Sequence, residues 1–197
     1  MPVHSTQLAH RVIIEWTRHG SVVLDLGCGN GELLSELVDE KKVIARGIEI
    51  DEQAIHNCIA RGLSVFQQDI EIGLSEYADN SFDYVILNQS LQQVRKPEFV
   101  IKEARRVGKK TIVGLPNFAH SSARFQIFFR GKVPVTPALP YEWYDTPNLH
   151  FLSLLDFMNY CKTRRMVIEK SVFIRKNKEV RIFPNFFAET GLFLLSK

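Results

Sequence analysis

The sequence predicts an α/β protein: a doubly wound, seven-stranded, mostly parallel sheet with helices on both faces. Three observations carry this expectation. Short β-branched runs alternate with stretches of helical apolar period over roughly the first three fifths of the chain. These runs lack the polar alternation of a half-exposed strand, as strands buried on both faces do. One of them, Val22-Val23-Leu24-Asp25-Leu26, opens directly into a glycine-rich turn followed by a helix. Such alternation implies right-handed βαβ crossovers.

Gln7 to His19 reads as a helix, with Leu8, Val12 and Trp16 at helical spacing and Gly20 ending it. Ser21 to Leu26 is the first strand, Gly27 to Gly31 the turn, and Glu32 to Asp39 a second helix. Val43 to Ile50 is the second strand, and Asp51 caps the helix that follows to about Arg61. Leu63 to Gln67 and Phe82 to Leu87 are the third and fourth strands. Lys96 to Val107 is helical, with Pro97 suited to its first turn, and Thr111 to Leu115 is the fifth strand. Residues 116–150 then gather most of the prolines and several aromatics, which predicts an inserted segment with a helix near Ser122 to Phe129. Ser153 to Thr163 is a further helix, and Val167 to Ile174 and Gly191 to Ser196 are two closing strands.

The chain has 197 residues, 45% hydrophobic and 24% charged, as expected for one ordinary globular domain over residues 1–197. Three cysteines with no close pair support neither a disulfide framework nor a metal site. A net charge of +3 does not call for a nucleic-acid partner. No apolar run approaches the roughly 20 residues of a membrane span, and no signal-peptide core opens the chain, so a cytoplasmic protein is expected. Residues 164–181 hold seven basic and two acidic residues, which reads first as a solvated surface.

The chemistry concentrates at the ends of the strands. Gly27, Gly29 and Gly31 permit positive φ and remove bulk where backbone approaches a ligand; Cys28 and Asn30 lie between them. The spacing GxGxG is one residue shorter than the dinucleotide fingerprint. Asp25 and Glu32 would repel a pyrophosphate and favour a cation such as an ammonium or sulfonium. Glu49 lies 18 residues after Gly31, the usual place for a carboxylate that accepts from ribose hydroxyls. Asp69 closes the third strand, placed to accept from the exocyclic amine of adenine, with Ile50 and Ile70 as apolar walls. Asn88, Gln89, Ser90, Gln92 and Gln93 follow the fourth strand, and none is a base at neutral pH. Cys28 reads as a packing residue.

The stretch VLDLGCGNG resembles the first motif of the class I S-adenosylmethionine-dependent methyltransferases. GIEID, QQDI and FDYVILNQSLQQV resemble the later motifs of that superfamily. The resemblance implies a Rossmann-like fold and a site for S-adenosylmethionine or S-adenosylhomocysteine. The residues at matching positions are Asp25, Gly27, Cys28, Gly29, Asn30, Gly31, Glu49, Ile50, Asp69, Ile70 and Asn88. A narrower resemblance, carried by NQSLQQV, IVGLPNFAH and above all RGKVPVTPALPYEWYDTPNLHF, is to the MetW family. It implies a role in methionine biosynthesis beside the homoserine O-acetyltransferase MetX. It leaves a methyl acceptor, and hence an enzymatic activity, unassigned. His120, His150 and Asn88 are the candidate catalytic groups, and residues 116–150 are expected to act as a lid or as a partner surface.

Overall fold

The computed structural model describes residues 3–197, with side chains from Gln7 onward. Helix α1 (Val3–Trp16) is followed by β1 (Val22–Leu26), α2 (Glu32–Lys41), β2 (Ile44–Glu49), α3 (Glu52–Ala60) and β3 (Val65–Gln67). Next come β4 (Phe82–Asn88), α4 (Pro97–Val107), β5 (Gly108–Pro116), α5 (Ser121–Arg130) and α6 (Leu154–Thr163). The chain closes with β6 (Val167–Arg175), β7 (Lys178–Glu179), α7 (Pro184–Phe187) and β8 (Thr190–Ser196).

The sheet has eight strands in the order β3-β2-β1-β4-β5-β8-β6-β7. The seven expected strands are all present. The eighth, β7, is a two-residue return of a hairpin on β6, too short to leave a periodic signal. β3, β2, β1, β4 and β5 are parallel neighbours, and β8 enters antiparallel between β5 and β6. Strand order reverses beside β1, between β2 and β4. An open α/β sheet has its ligand crevice at such a point.

Both faces of the sheet are covered, which explains the unbroken apolar runs. Leu24, Leu26, Val85, Leu87 and Val113 pack with α4 and α6 on one face. Val23, Ile86 and Ile112 pack with Ile13 of α1 and Leu34 and Leu37 of α2 on the other. At roughly 25 cal/mol per Å² of apolar area removed from water, these two layers dominate folding.

Local chemistry sets the helix ends. Asp51 caps α3 by accepting from the Ala54 N–H at 2.8 Å, as its position predicts. Ser153 and Asp156 form a reciprocal capping box on α6. Pro97 opens α4. α4 runs into β5 at Gly108 without a loop, so β5 starts three residues earlier than its apolar run. Among the described residues, no helix is long and apolar enough to cross a membrane.

Candidate functional site: the cleft at the strand tips

A cleft of about 370 Å³ opens at the carboxyl ends of β1, β2, β3 and β4. Six expected residues line it: Gly27, Gly29, Glu49, Ile50, Asp69 and Ile70. The loop after β4 adds Gln89, Ser90, Gln93 and Val94. These four were legible only as a base-poor stretch, because uncharged side chains carry no charge pattern that marks them as a wall. Gln89 adopts φ +62°, unusual for a residue with a Cβ, and so turns the chain sharply off β4.

The three loop glycines do different work. Gly29 has φ +54° and open space where a Cβ would stand, so it faces the cleft. Gly27 has φ +78°, and a Cβ there would lie 2.9 Å from Ser90 Cβ, so it lets the β1 and β4 loops approach. Gly31 faces inward: its Cβ would come 2.5 Å from Leu63 Cδ1 and 2.8 Å from Cys58 Sγ. The expectation that a side chain at Gly31 would meet either the ligand or the needed backbone angle holds in its second form, with φ +75°, and the side chain would meet Leu63 and Cys58 rather than the ligand.

Glu49 holds the loop from the other side. Its Oε2 accepts from the Gly29 N–H at 2.8 Å, and its Oε1 accepts from the N–H groups of Ile50 (2.7 Å) and Asp51 (3.1 Å). Three of the roughly four acceptor positions of a carboxylate are thus used by backbone. Glu49 organises the turn as well as facing the cleft. Asp69 accepts from the Glu71 N–H at 2.8 Å and starts a short helical turn over Ile70–Ile72. Ile50 is largely exposed, an apolar surface beside two carboxylates.

Asp25 lies behind the glycine loop, only 3% exposed, paired in register with Gly47 of β2 and Ile86 of β4. Burial, reinforced by the nearby Glu49 charge, raises its pKa to about 7. Its Oδ1 has no hydrogen-bond partner. Asn88 Oδ1, Ser90 Oγ and Gln92 Oε1 are also buried and unpartnered. Four polar oxygens without donors thus stand at the ends of two adjacent strands. A buried acceptor left without a donor costs roughly 1–3 kcal/mol, so the grouping suits a ligand rich in N–H groups.

Cys28 tucks its sulfur towards Gly47, and burial together with Asp25 pushes its thiol far above the ordinary range. It is a packing residue. Asn30 accepts from Asn57 Nδ2 at 2.9 Å, on the α3 side of the loop and away from the cleft wall. His120 caps α5, its Nδ1 accepting from the Ser122 N–H at 3.2 Å. Burial lowers its pKa, with Glu189 opposing and Arg175 adding, which favours the neutral ring. His150 borders a separate groove with Leu91, Pro97 and Tyr160. Neither histidine lines the cleft, and neither does any residue of 116–150. The insertion reaches the site indirectly: the N–H groups of Leu149 and His150 both donate to the Gln92 carbonyl, at 2.9 and 3.1 Å.

The family model "Methionine biosynthesis protein MetW" matches residues 7–195. The chain belongs to the MetW family. A MetW-family relative, the bifunctional methionine biosynthesis protein MetXA/MetW of Rhodopirellula baltica, is 34% identical over 182 residues. That match covers 88% of this chain and 29% of the relative, so this chain spans under a third of the length of that protein. A SAM-dependent methyltransferase from Archaeoglobus fulgidus superposes with a TM-score of 0.73 at 16% identity, covering 98% of this chain and 93% of that one. Another from Thermotoga maritima superposes with a TM-score of 0.69 at 20% identity, covering 98% and 90%. The MetW family chain thus has the class I methyltransferase fold.

Proposed function

We propose that the chain binds S-adenosylmethionine or S-adenosylhomocysteine in the strand-tip cleft and supports a homoserine O-acetyltransferase of the MetX type. The observation that carries the first part is the set of unpartnered oxygens at Asp25, Asn88, Ser90 and Gln92 behind a cleft walled by Gly29, Glu49 and Asp69. The amino-acid ammonium of such a nucleoside supplies donors on the side of the cleft where Ser90 stands, and its positive charge suits an ionised Asp25 behind the glycine loop. Glu49 retains one acceptor position for a ribose hydroxyl, and Asp69 retains acceptor capacity for the adenine amine beside Ile50 and Ile70. Gly27, Cys28, Asn30 and Gly31 shape the loop rather than contact the ligand through side chains. The second part is supported by the Rhodopirellula baltica relative, in which a MetW-like portion shares one chain with a MetXA portion. We place the protein in the cytoplasm.

A second reading, an active methyltransferase, is favoured by the fold shared with the Archaeoglobus fulgidus and Thermotoga maritima proteins. Methyl transfer from a sulfonium needs chiefly alignment of the acceptor, and a base where the acceptor arrives protonated. The cleft wall offers amides and a hydroxyl after β4, with Asn88 behind them, and no base among them.

Calorimetry with S-adenosylmethionine and S-adenosylhomocysteine tests the cleft. Saturable one-to-one binding, lost in Gly29→Val, is the expected result, and no heat with either compound defeats the reading. Homoserine acetylation assayed with and without the chain tests the support role; an unchanged rate defeats it. Release of S-adenosylhomocysteine with a broad acceptor panel would establish the second reading.

A further inference from the structure

We propose that the exposed aromatic face shared by α5 and α7 docks a folded protein whose matching surface is apolar at its centre and acidic at its rim. The occupant is the acetyltransferase of the preceding reading, on which this inference rests. Phe125, Phe128 and Phe129 recur at i, i+3 and i+4 and so share one side of α5. Their rings pack on one another, with centroids 4.5 and 4.8 Å apart, while Phe128 remains 80% exposed. Across from them, Phe186 and Phe187 of α7 pack edge to face, and Phe183 beside them is 74% exposed. The Arg124 guanidinium of α5 lies 5.5 Å above the Phe186 ring of α7 and so links the two helices. Scattered exposed apolar residues are ordinary, but a contiguous aromatic patch marks an interaction site.

The surface is already ordered. Ala123 is fully buried and anchors α5, and Gln126 exchanges two hydrogen bonds with the Val135 backbone, folding the next segment back along the helix. Little side-chain or loop ordering remains to oppose association. Aromatics mixed with arginine and poor in carboxylates are the composition of an interface centre.

Charge selects the occupant. No Asp or Glu occurs between Asn117 and Tyr141, while Arg124, Arg130 and Lys132 do. On the α7 side, Arg175, Lys176, Lys178 and Arg181 stand against Glu179, which is bonded to Arg181, and the buried Glu189, which accepts from the Lys176 N–H. A second copy docked about a two-fold axis would set this basic rim against itself. A partner with acidic residues around an apolar patch meets no such repulsion. The fused relative points the same way, since its MetW-like portion lives beside another folded protein in one chain.

The test measures affinity of the full chain for the MetX-type acetyltransferase of the same genome, by fluorescence anisotropy in low and high salt. The double variant Phe128→Ser/Phe129→Ser is expected to lose about 30-fold in affinity or more, with its melting temperature and S-adenosylmethionine affinity unchanged. Arg130→Glu is expected to lose less and to weaken the salt dependence. Ile44→Ser, exposed at the far side of the sheet, is expected to bind as the unaltered chain does. If the double variant binds like the unaltered chain, this surface is wrong while the partner reading stands. If the unaltered chain does not bind the acetyltransferase, the partner reading itself fails. Self-association abolished by the double variant, or phosphatidylserine-vesicle binding abolished by it, would overturn the proposal in favour of a second copy or a membrane.

Discussion

The two ends of β4 and β5 lead into regions built on opposite plans. On the β1–β4 side, the cleft is made of backbone turns held by short hydrogen bonds to carboxylates, with Ile48, Ile50, Ile70 and Val94 as its apolar walls. On the β5 side, the chain leaves the sheet for 37 residues before α6, carries Phe128, Trp143 and Tyr144 outward, and hydrogen-bonds to the cleft loop at the Gln92 carbonyl. The first region, in the proposed reading, encloses a small ligand. The second, in the proposed reading, is covered by a folded partner. Coupling between them requires that ligand and partner affinities change each other by the same factor, which measurement of one in the presence of the other detects.

The sharpest way to break the comparison is to disturb the glycine loop at two positions. Gly31→Ala drives a Cβ into Leu63 and Cys58 at a positive φ. It is expected to cost roughly 3 kcal/mol or more in chemical denaturation. Gly29→Ala points into open space and carries only the strain of its φ, on the order of 1 kcal/mol, so any loss of ligand affinity there reports on the cleft itself. Equal destabilisation by the two would show that the loop has one role, not two.

Asp25 comes next. Its folded-state pKa is about 7 against an ordinary 3.8, so the fold favours the protonated form. The stability from this group is whole below the ordinary value and drains away as pH rises through 7. Asp25→Asn is therefore expected to be more stable than the unaltered chain by roughly 4 kcal/mol at pH 8, and no more stable at pH 4. The same residue predicts that affinity for a cationic ligand climbs as pH rises from 5.5 to 7, and that this climb vanishes in Asp25→Asn. A flat profile in the unaltered chain would remove Asp25 from the ligand's surroundings.

Glu49→Ala is expected to cost roughly 2 kcal/mol of stability through the three backbone N–H groups it releases, in addition to weakening the ligand. Hydrogen exchange at Gly29, faster in the variant, separates the two effects. The smallest effect belongs to the outward region: Trp143→Ala, whose ring leans mainly on exposed Tyr144, is expected to shift stability by less than about 0.5 kcal/mol. A larger loss would mean that the insertion is packed rather than waiting for a partner.

Much of the site was legible because its signals are local. A strand, three alternating glycines and a helix fall within a dozen residues, and carboxylates at the next two strand ends follow from a period of two and a capping residue. The wall after β4 was less legible. Gln89, Ser90 and Gln93 are placed by the positive φ of Gln89 and by the register of β4 on β5, which no short window contains.

Residue order alone determined the alternation of elements, the cap at Asp51 and the acidic strand tips, since each depends on side-chain period or on backbone groups a few residues away. The tertiary structure decided which glycine faces ligand and which faces core, that Glu49 serves the loop as well as the cleft, and that α5 turns its phenylalanines to solvent. Those outcomes depend on which distant segment arrives alongside: Leu63 over Gly31, β2 beside the glycine loop, and α7 against Arg124. Contacts of that range are set by the packing of the whole sheet.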